Sequence, residues 1–147
     1  MRSYQLYLIK DEIASHYVGR ERMFYQLFQD YHLADGELKS IISKQIEYVT
    51  KPLPVLRIHQ LLYQHLSNHK GFEAKQGTYY LQTNKFRGTA LLKVANDRKL
   101  VLESDGSLEV ETIFFEVLRK IESSFMAVDL ESSRFGWLKP IKERKFV

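Results

Sequence analysis

None of the 147 residues is cysteine. That absence removes disulfides, thiolate nucleophiles, Cys-ligated zinc and iron–sulfur clusters together, and it fits a reducing compartment. Prolines number only three and glycines seven, too few for a linker-rich or low-complexity chain. No repeat, biased segment or interdomain linker is visible. Long hydrophobic runs are missing as well: in MRSYQLYLIKDE, Lys10 places a charge before any extended apolar region has built up. Neither a signal peptide nor a spanning helix is drawn from that pattern, and a cytoplasmic protein is expected. The chain also lacks a GxSxG elbow, a P-loop and a glycine-rich dinucleotide fingerprint. An enzyme reading has no local support, and no cofactor or metal is expected.

What is present describes a folded protein: 44% hydrophobic, 27% charged and 13% aromatic residues. A chain of this length buries roughly 70% of its unfolded surface, so one domain over residues 1–147 is expected without a covalent staple. The formal charge of +4 and pI near 9.2 permit weak attraction to nucleic acid or to an acidic protein surface but compel neither. Basic residues are dense only in the tail from Lys139 to Val147.

Periodicity orders the elements. SYQLYLI, Ser3 to Ile9, is rich in Tyr, Leu and Ile and reads as a first strand, and Asp11 and Glu12 suit the positive end of a short helix. After Gly19, Met23, Phe24, Leu27, Phe28 and Tyr31 form one apolar face of a second helix, expected to pack in the core. Asp35 is placed as the N-cap of a third helix with Leu38, Ile41, Ile42, Ile46 and Val49 as its stripe, ended by Lys51-Pro52-Leu53-Pro54. Val55, Ile58, Leu62 and Leu66 fall on one face of a further helix from about Val55 to Leu66, with its start left open because PVLRI also fits an extended segment. From Gly77 the period becomes strand-like in TYYLQT, TALLKVA and KLVLES. Asp105-Gly106 turns the chain into a helix carrying Val110, Ile113, Phe114, Val117, Leu118 and Ile121, with Ser107 as its cap, and FMAVDL and RFGWL read as two last strands. The fold class predicted is α+β: a single-domain two-layer sandwich with a mainly antiparallel sheet of about five to six strands and about four to five helices.

Candidate chemistry is sparse. His65 and His69 have the spacing of the paired ligands in HExxH, but Leu66 stands where that motif needs its Glu. Glu109 and Glu111 are two apart on a helix and do not face each other; their place in its first turns is explained by the helix dipole. A DNA-binding reading can be built on the basic tail, including Lys142, Arg144 and Lys145, together with Tyr79-Tyr80 on a strand. Against it stand a solvated tail and one Tyr packed inward.

A protein partner is better served. Gln45 falls within the apolar stripe of the third helix, between Ile41, Ile42 and Val49, and Tyr48 follows on its flank. A Gln in a dry core needs several hydrogen bonds, whereas at the edge of an exposed patch it serves a partner, and Tyr supplies area at low entropy cost. One polar residue at a stripe edge is also common without any function. IASHYVGRE poses the same choice for Ile13 and Tyr17, which stack four residues apart on a short helix that Gly19 interrupts.

The segments YLIKDEIASHYVGRE, LFQDYH, KQIEYVTKPLPVL, ETIFFEVLRK and FGWLKPIKERKFV, in this order, resemble the SirA family, sporulation inhibitors of replication in Bacillus-type endospore formers. The likeness spans nearly the whole chain and is thinnest from about His69 to Ser107. It implies a non-enzymatic inhibitor of replication initiation that binds the N-terminal domain of the initiator DnaA, as a monomer forming a heterodimer. Matched motif to motif, it implies that Tyr17, Gln45 and Tyr48 face that partner. Ile13 matches a position where an aromatic such as Phe is expected, which implies a partner pocket of somewhat different shape.

Overall fold

The computed structural model describes residues 1–84 and 87–139. Its elements run β1 (Arg2–Leu8), α1 (Asp11–His16), α2 (Arg22–Leu33), α3 (Gly36–Val49), α4 (Val55–Leu66), β2 (Phe72–Lys75), β3 (Thr78–Thr83), β4 (Gly88–Val94), β5 (Lys99–Gly106), α5 (Glu109–Ile121), β6 (Phe125–Asp129) and β7 (Arg134–Trp137). The strands form a single sheet in the order β2-β3-β4-β5-β1-β6-β7, antiparallel at every pairing. The α+β class and the five helices agree with the expectation. The sheet has seven strands, because FEAK forms β2.

Two features hid β2. It has only four residues, with Phe72 and Ala74 as its apolar members, and it pairs with β3 through a two-residue turn. Both turn residues, Gln76 and Gly77, adopt positive φ, 47° and 76°, the backbone hand that suits a tight hairpin.

Strand β1 lies between β5, paired from Arg2↔Ser104 to Tyr7↔Lys99, and β6, paired from Gln5↔Val128 to Leu8↔Phe125. Side chains alternate along it, so Leu6 and Leu8 pack with Ile58 and Leu62 of α4 and Phe114 of α5 on one face. Tyr7 and, just past the strand, Ile9 turn to the other face, against α1, α2 and α3. There the Tyr7 and Phe28 rings stack nearly parallel with centroids 3.8 Å apart. Strands β3 to β5 bury alternate residues, as a sheet covered by helices on one face should; β6 is buried almost continuously. The sandwich therefore has two layers across β2 to β5 and gains a second helical layer at β1, β6 and β7.

Several expected core positions lie elsewhere. Met23 is exposed and Tyr25 buried, because α2 rests on β1 and β7 through Phe24, Tyr25 and Phe28. Val55 is exposed at the start of α4, and Leu38 and Ile41 are exposed on α3, whose buried residues are Ile42 and Ile46. Asp35 occupies the N-cap position of α3 with extended backbone but makes no side-chain cap bond. At α5 the cap position is Leu108, while the Ser107 hydroxyl accepts the Glu109 N–H at 3.4 Å and donates to its carboxylate at 2.9 Å. Among the described residues no helix is long and apolar enough to cross a membrane.

Candidate docking site

The second helical layer is assembled around α1. Asp11 and Glu12 lie in its first turn, where the helix dipole favours them, and Tyr17 closes it by donating its N–H to the Ile13 carbonyl at 3.1 Å. Gly19 then takes φ of +87°, a left-handed conformation that costs a glycine little, and the chain reverses toward α2. The reversal is held by Glu21, whose Oε1 accepts the Gly19 N–H at 3.0 Å and the Trp137 indole N–H at 3.3 Å. Burial by itself acts to raise the Glu21 pKa; these hydrogen bonds outweigh it and hold the carboxyl below its usual range.

Helix α3 runs beside α1 because both are fastened at their ends. The Lys10 N–H, at the cap of α1, donates to the Val49 carbonyl at 2.9 Å, and Ile9 bridges to Thr50. With Ile42 and Ile46 turned into the core, the next flank of α3 faces outward. Gln45 is exposed, and Tyr48 is 70% exposed with the Lys10 ammonium 4.9 Å from its ring centroid. Opposite, Tyr17 is half-buried: its ring meets Phe24 edge-on at 6.0 Å, and the Arg20 guanidinium lies 4.8 Å from its centroid. Ile13 is half-buried beside it.

Between these walls lies an open groove of about 780 Å³. Ile13, Tyr17, Gln45 and Tyr48 all line it, with Phe24 and Leu27 contributing apolar surface. The structure thus brings the four sequence candidates together around one apolar hollow, and Glu12, His16 and Lys44 add charged or polar groups to its lining. Such a combination of aromatic anchors, an amide and a mixed-charge margin is suited to a protein surface. Sequence reading missed that Leu38 (59% exposed) and Ile41 (50% exposed) continue the line of Gln45 and Tyr48 along α3. Their 3-4-3 spacing was the available signal, masked by the parallel core stripe one residue away.

The other candidates are not assembled into a site. His65 lies in the last turn of α4 and His69 beyond the helix, so the two do not share a helix face, and the described residues contain no cluster of three metal-ligating side chains. Tyr79 is buried and within hydrogen-bond distance of His59 Nδ1 at 3.1 Å, which leaves only Tyr80 of that pair facing solvent. Residues 140–147, including Lys142, Arg144 and Lys145 of the basic tail, lie outside the described residues. Glu111 is no surface carboxylate: it is buried and accepts a 2.6 Å bond from Arg2 Nε, tying the start of β1 to α5.

Residues 2–142 match the family described as sporulation inhibitor of replication protein SirA. This chain belongs to the SirA family. It is 43% identical over 148 residues to the sporulation inhibitor of replication protein SirA of Bacillus subtilis (strain 168), covering 99% of each chain. Within this SirA fold, the segments that carry the likeness do two different jobs. The FGW of β7 is structural, with Phe135 stacked on Tyr25 and Trp137 edge-on to Phe24. IASHY and QIEY supply two walls of the groove, which α2 completes with Phe24 and Leu27.

Proposed function

We propose that this SirA family member inhibits the initiation of chromosome replication during sporulation by docking its α1–α3 groove on the N-terminal domain of DnaA. It acts in the cytoplasm as a non-enzymatic monomer that forms a heterodimer with that domain, without a cofactor. Occupying the domain obstructs the contacts through which initiators assemble or recruit other factors.

The observation supporting this reading is the convergence of Ile13, Tyr17, Gln45 and Tyr48 on one groove, with Tyr48 left 70% exposed. A ring so exposed contributes little to the core, and it is the kind of rigid amphipathic anchor that interfaces use. A regulatory contact of this type buries on the order of 1,000 Å² and gains its specificity from one or two seated anchors.

The test is a titration of the purified protein against the isolated DnaA N-terminal domain, with Tyr48→Ala and Gln45→Ala as variants in exposed positions. Saturable binding weakened by both is expected; variants that bind like the parent would rule out this groove. A parallel titration with duplex DNA addresses the rival DNA-binding reading, whose mark is affinity without DnaA that falls steeply as salt rises.

A further inference from the structure

Helix α3 carries Gln45 and Tyr48 in its last turns, and its own sequence finishes it only in part, through the Thr50 N–H and hydroxyl on the Ile46 carbonyl. The last turn contains no basic residue, and the cap residue Thr50 is extended rather than left-handed. Carbonyls at a helix C-terminus need donors, and the dipole there favours a cation. The Lys10 N–H takes the Val49 carbonyl, and a cation with further donor contact comes from the turn between β4 and β5, 48 residues away in sequence: Arg98 Nη1 lies 2.9 Å from the Thr50 carbonyl, 3.2 Å from Thr50 Oγ1 and 3.3 Å from the Glu47 carbonyl.

The contact extends into the helix. The buried Thr50 hydroxyl receives Arg98 and itself donates to the Ile46 carbonyl at 2.7 Å, so the guanidinium bears on the turn that contains Tyr48. The turn presenting Arg98 is also anchored: Asn96 Oδ1 accepts the Arg98 N–H at 2.8 Å, and the Asp97 carbonyl accepts the Leu53 N–H at 2.7 Å. Asp97 is a poor competitor for the guanidinium, since its carboxylate is 80% exposed and 4.0 Å away.

We infer that Arg98 is a positioning residue for the docking groove, capping α3 from the sheet so that Tyr48 and Gln45 are held ready for the partner. This rests on the docking reading above. Arg98 lines a different hollow, with Tyr31 and Glu47, and is absent from the groove lining, so its influence passes through α3. A preformed surface binds more tightly because less order must be imposed on association.

The test uses Arg98→Met, which keeps the apolar stem and removes the donors, with two readouts. Amide hydrogen exchange is expected to quicken at Tyr48 to Thr50 while β1, β5 and α5 keep their protection. Affinity for the DnaA N-terminal domain is expected to fall about tenfold, equivalent to about 1.4 kcal/mol. In a Tyr48→Ala background the same substitution should change affinity much less, a coupling that general destabilisation does not produce. Unchanged exchange at the end of α3, or unchanged affinity in a parent that binds, overturns the inference. A parent that does not bind overturns the docking reading, and exchange still decides whether Arg98 holds α3.

Discussion

The Trp137 indole N–H donates to Glu21 Oε1 across 3.3 Å, tying β7 to the turn between α1 and α2. The same oxygen accepts the Gly19 N–H, so the last described strand helps set the angle at which α1 leaves α2. Trp137→Phe keeps a large ring against Phe24 and deletes the donor. A loss of about 1 kcal/mol is expected in urea unfolding, the typical worth of one hydrogen bond. A much larger loss would show that indole area, rather than the bond to Glu21, is what matters there.

Tyr17 and Tyr48 should separate stability from binding. Tyr48→Ala removes a mostly exposed ring, so unfolding free energy should stay within about 0.5 kcal/mol of the parent. Its effect belongs in the titration with the DnaA N-terminal domain, as a loss of roughly 2 kcal/mol, about thirtyfold. Tyr17→Ala additionally breaks an edge contact with Phe24, and such aromatic pairs are worth about 0.5–1.5 kcal/mol beyond their area. Thermal unfolding should therefore distinguish the two variants even where their affinities match.

Acid stability should depend on Asp129. Its buried carboxylate accepts bonds from Arg134 Nη2 at 2.9 Å and the Ser132 N–H at 3.1 Å. Burial pushes its pKa up, but these bonds outweigh that and hold it below the usual carboxylate range. A carboxyl lowered by folding contributes stability at pH values above its ordinary pKa, and the contribution disappears as pH falls through the lowered value. Asp129→Asn should consequently cost stability near pH 7 and progressively less as pH falls below the ordinary carboxylate range, narrowing the difference between urea midpoints at neutral and acid pH. An unchanged difference would exclude Asp129 as the acid-sensitive group.

Two glycines with positive φ should respond differently to alanine. Gly106 has φ of +87°, and an added Cβ would press on the Arg87 carbonyl, whereas Gly36 has φ of +60° with open space around it. Gly36→Ala should cost only the left-handed conformation, about 1 kcal/mol. Gly106→Ala must also shift backbone in the β4–β5 pairing, and an unfolding free energy at least about 1 kcal/mol below that of Gly36→Ala is expected. Equal losses would mean that the β4–β5 end yields without cost.

The helices and longer strands were legible because their signals are local. The apolar spacing of α4 and α5 and the β-rich runs of β3 to β5 follow from chain geometry, and they survived folding nearly unchanged. β2 was not legible, because four residues with two apolar side chains look like loop until β3 is alongside. The groove was legible only in pieces. Ile13 and Tyr17 showed a shared helix face, Gln45 showed a polar residue in an apolar stripe, and family likeness linked the pieces before geometry did.

By itself the sequence determined the order and type of most elements, the absence of cysteine chemistry and membership of the SirA family. Tertiary structure decided which apolar residues are core. Ile41 and Ile42 are equally hydrophobic neighbours, and only the placement of α3 against β1 and α2 buries one and exposes the other. It also decided the partners of Glu111 and Thr50, whose arginines arrive from 109 and 48 residues away. The physical reason is range: periodicity is set by bonds between near neighbours, whereas burial and capping depend on which surfaces meet once the sheet has formed.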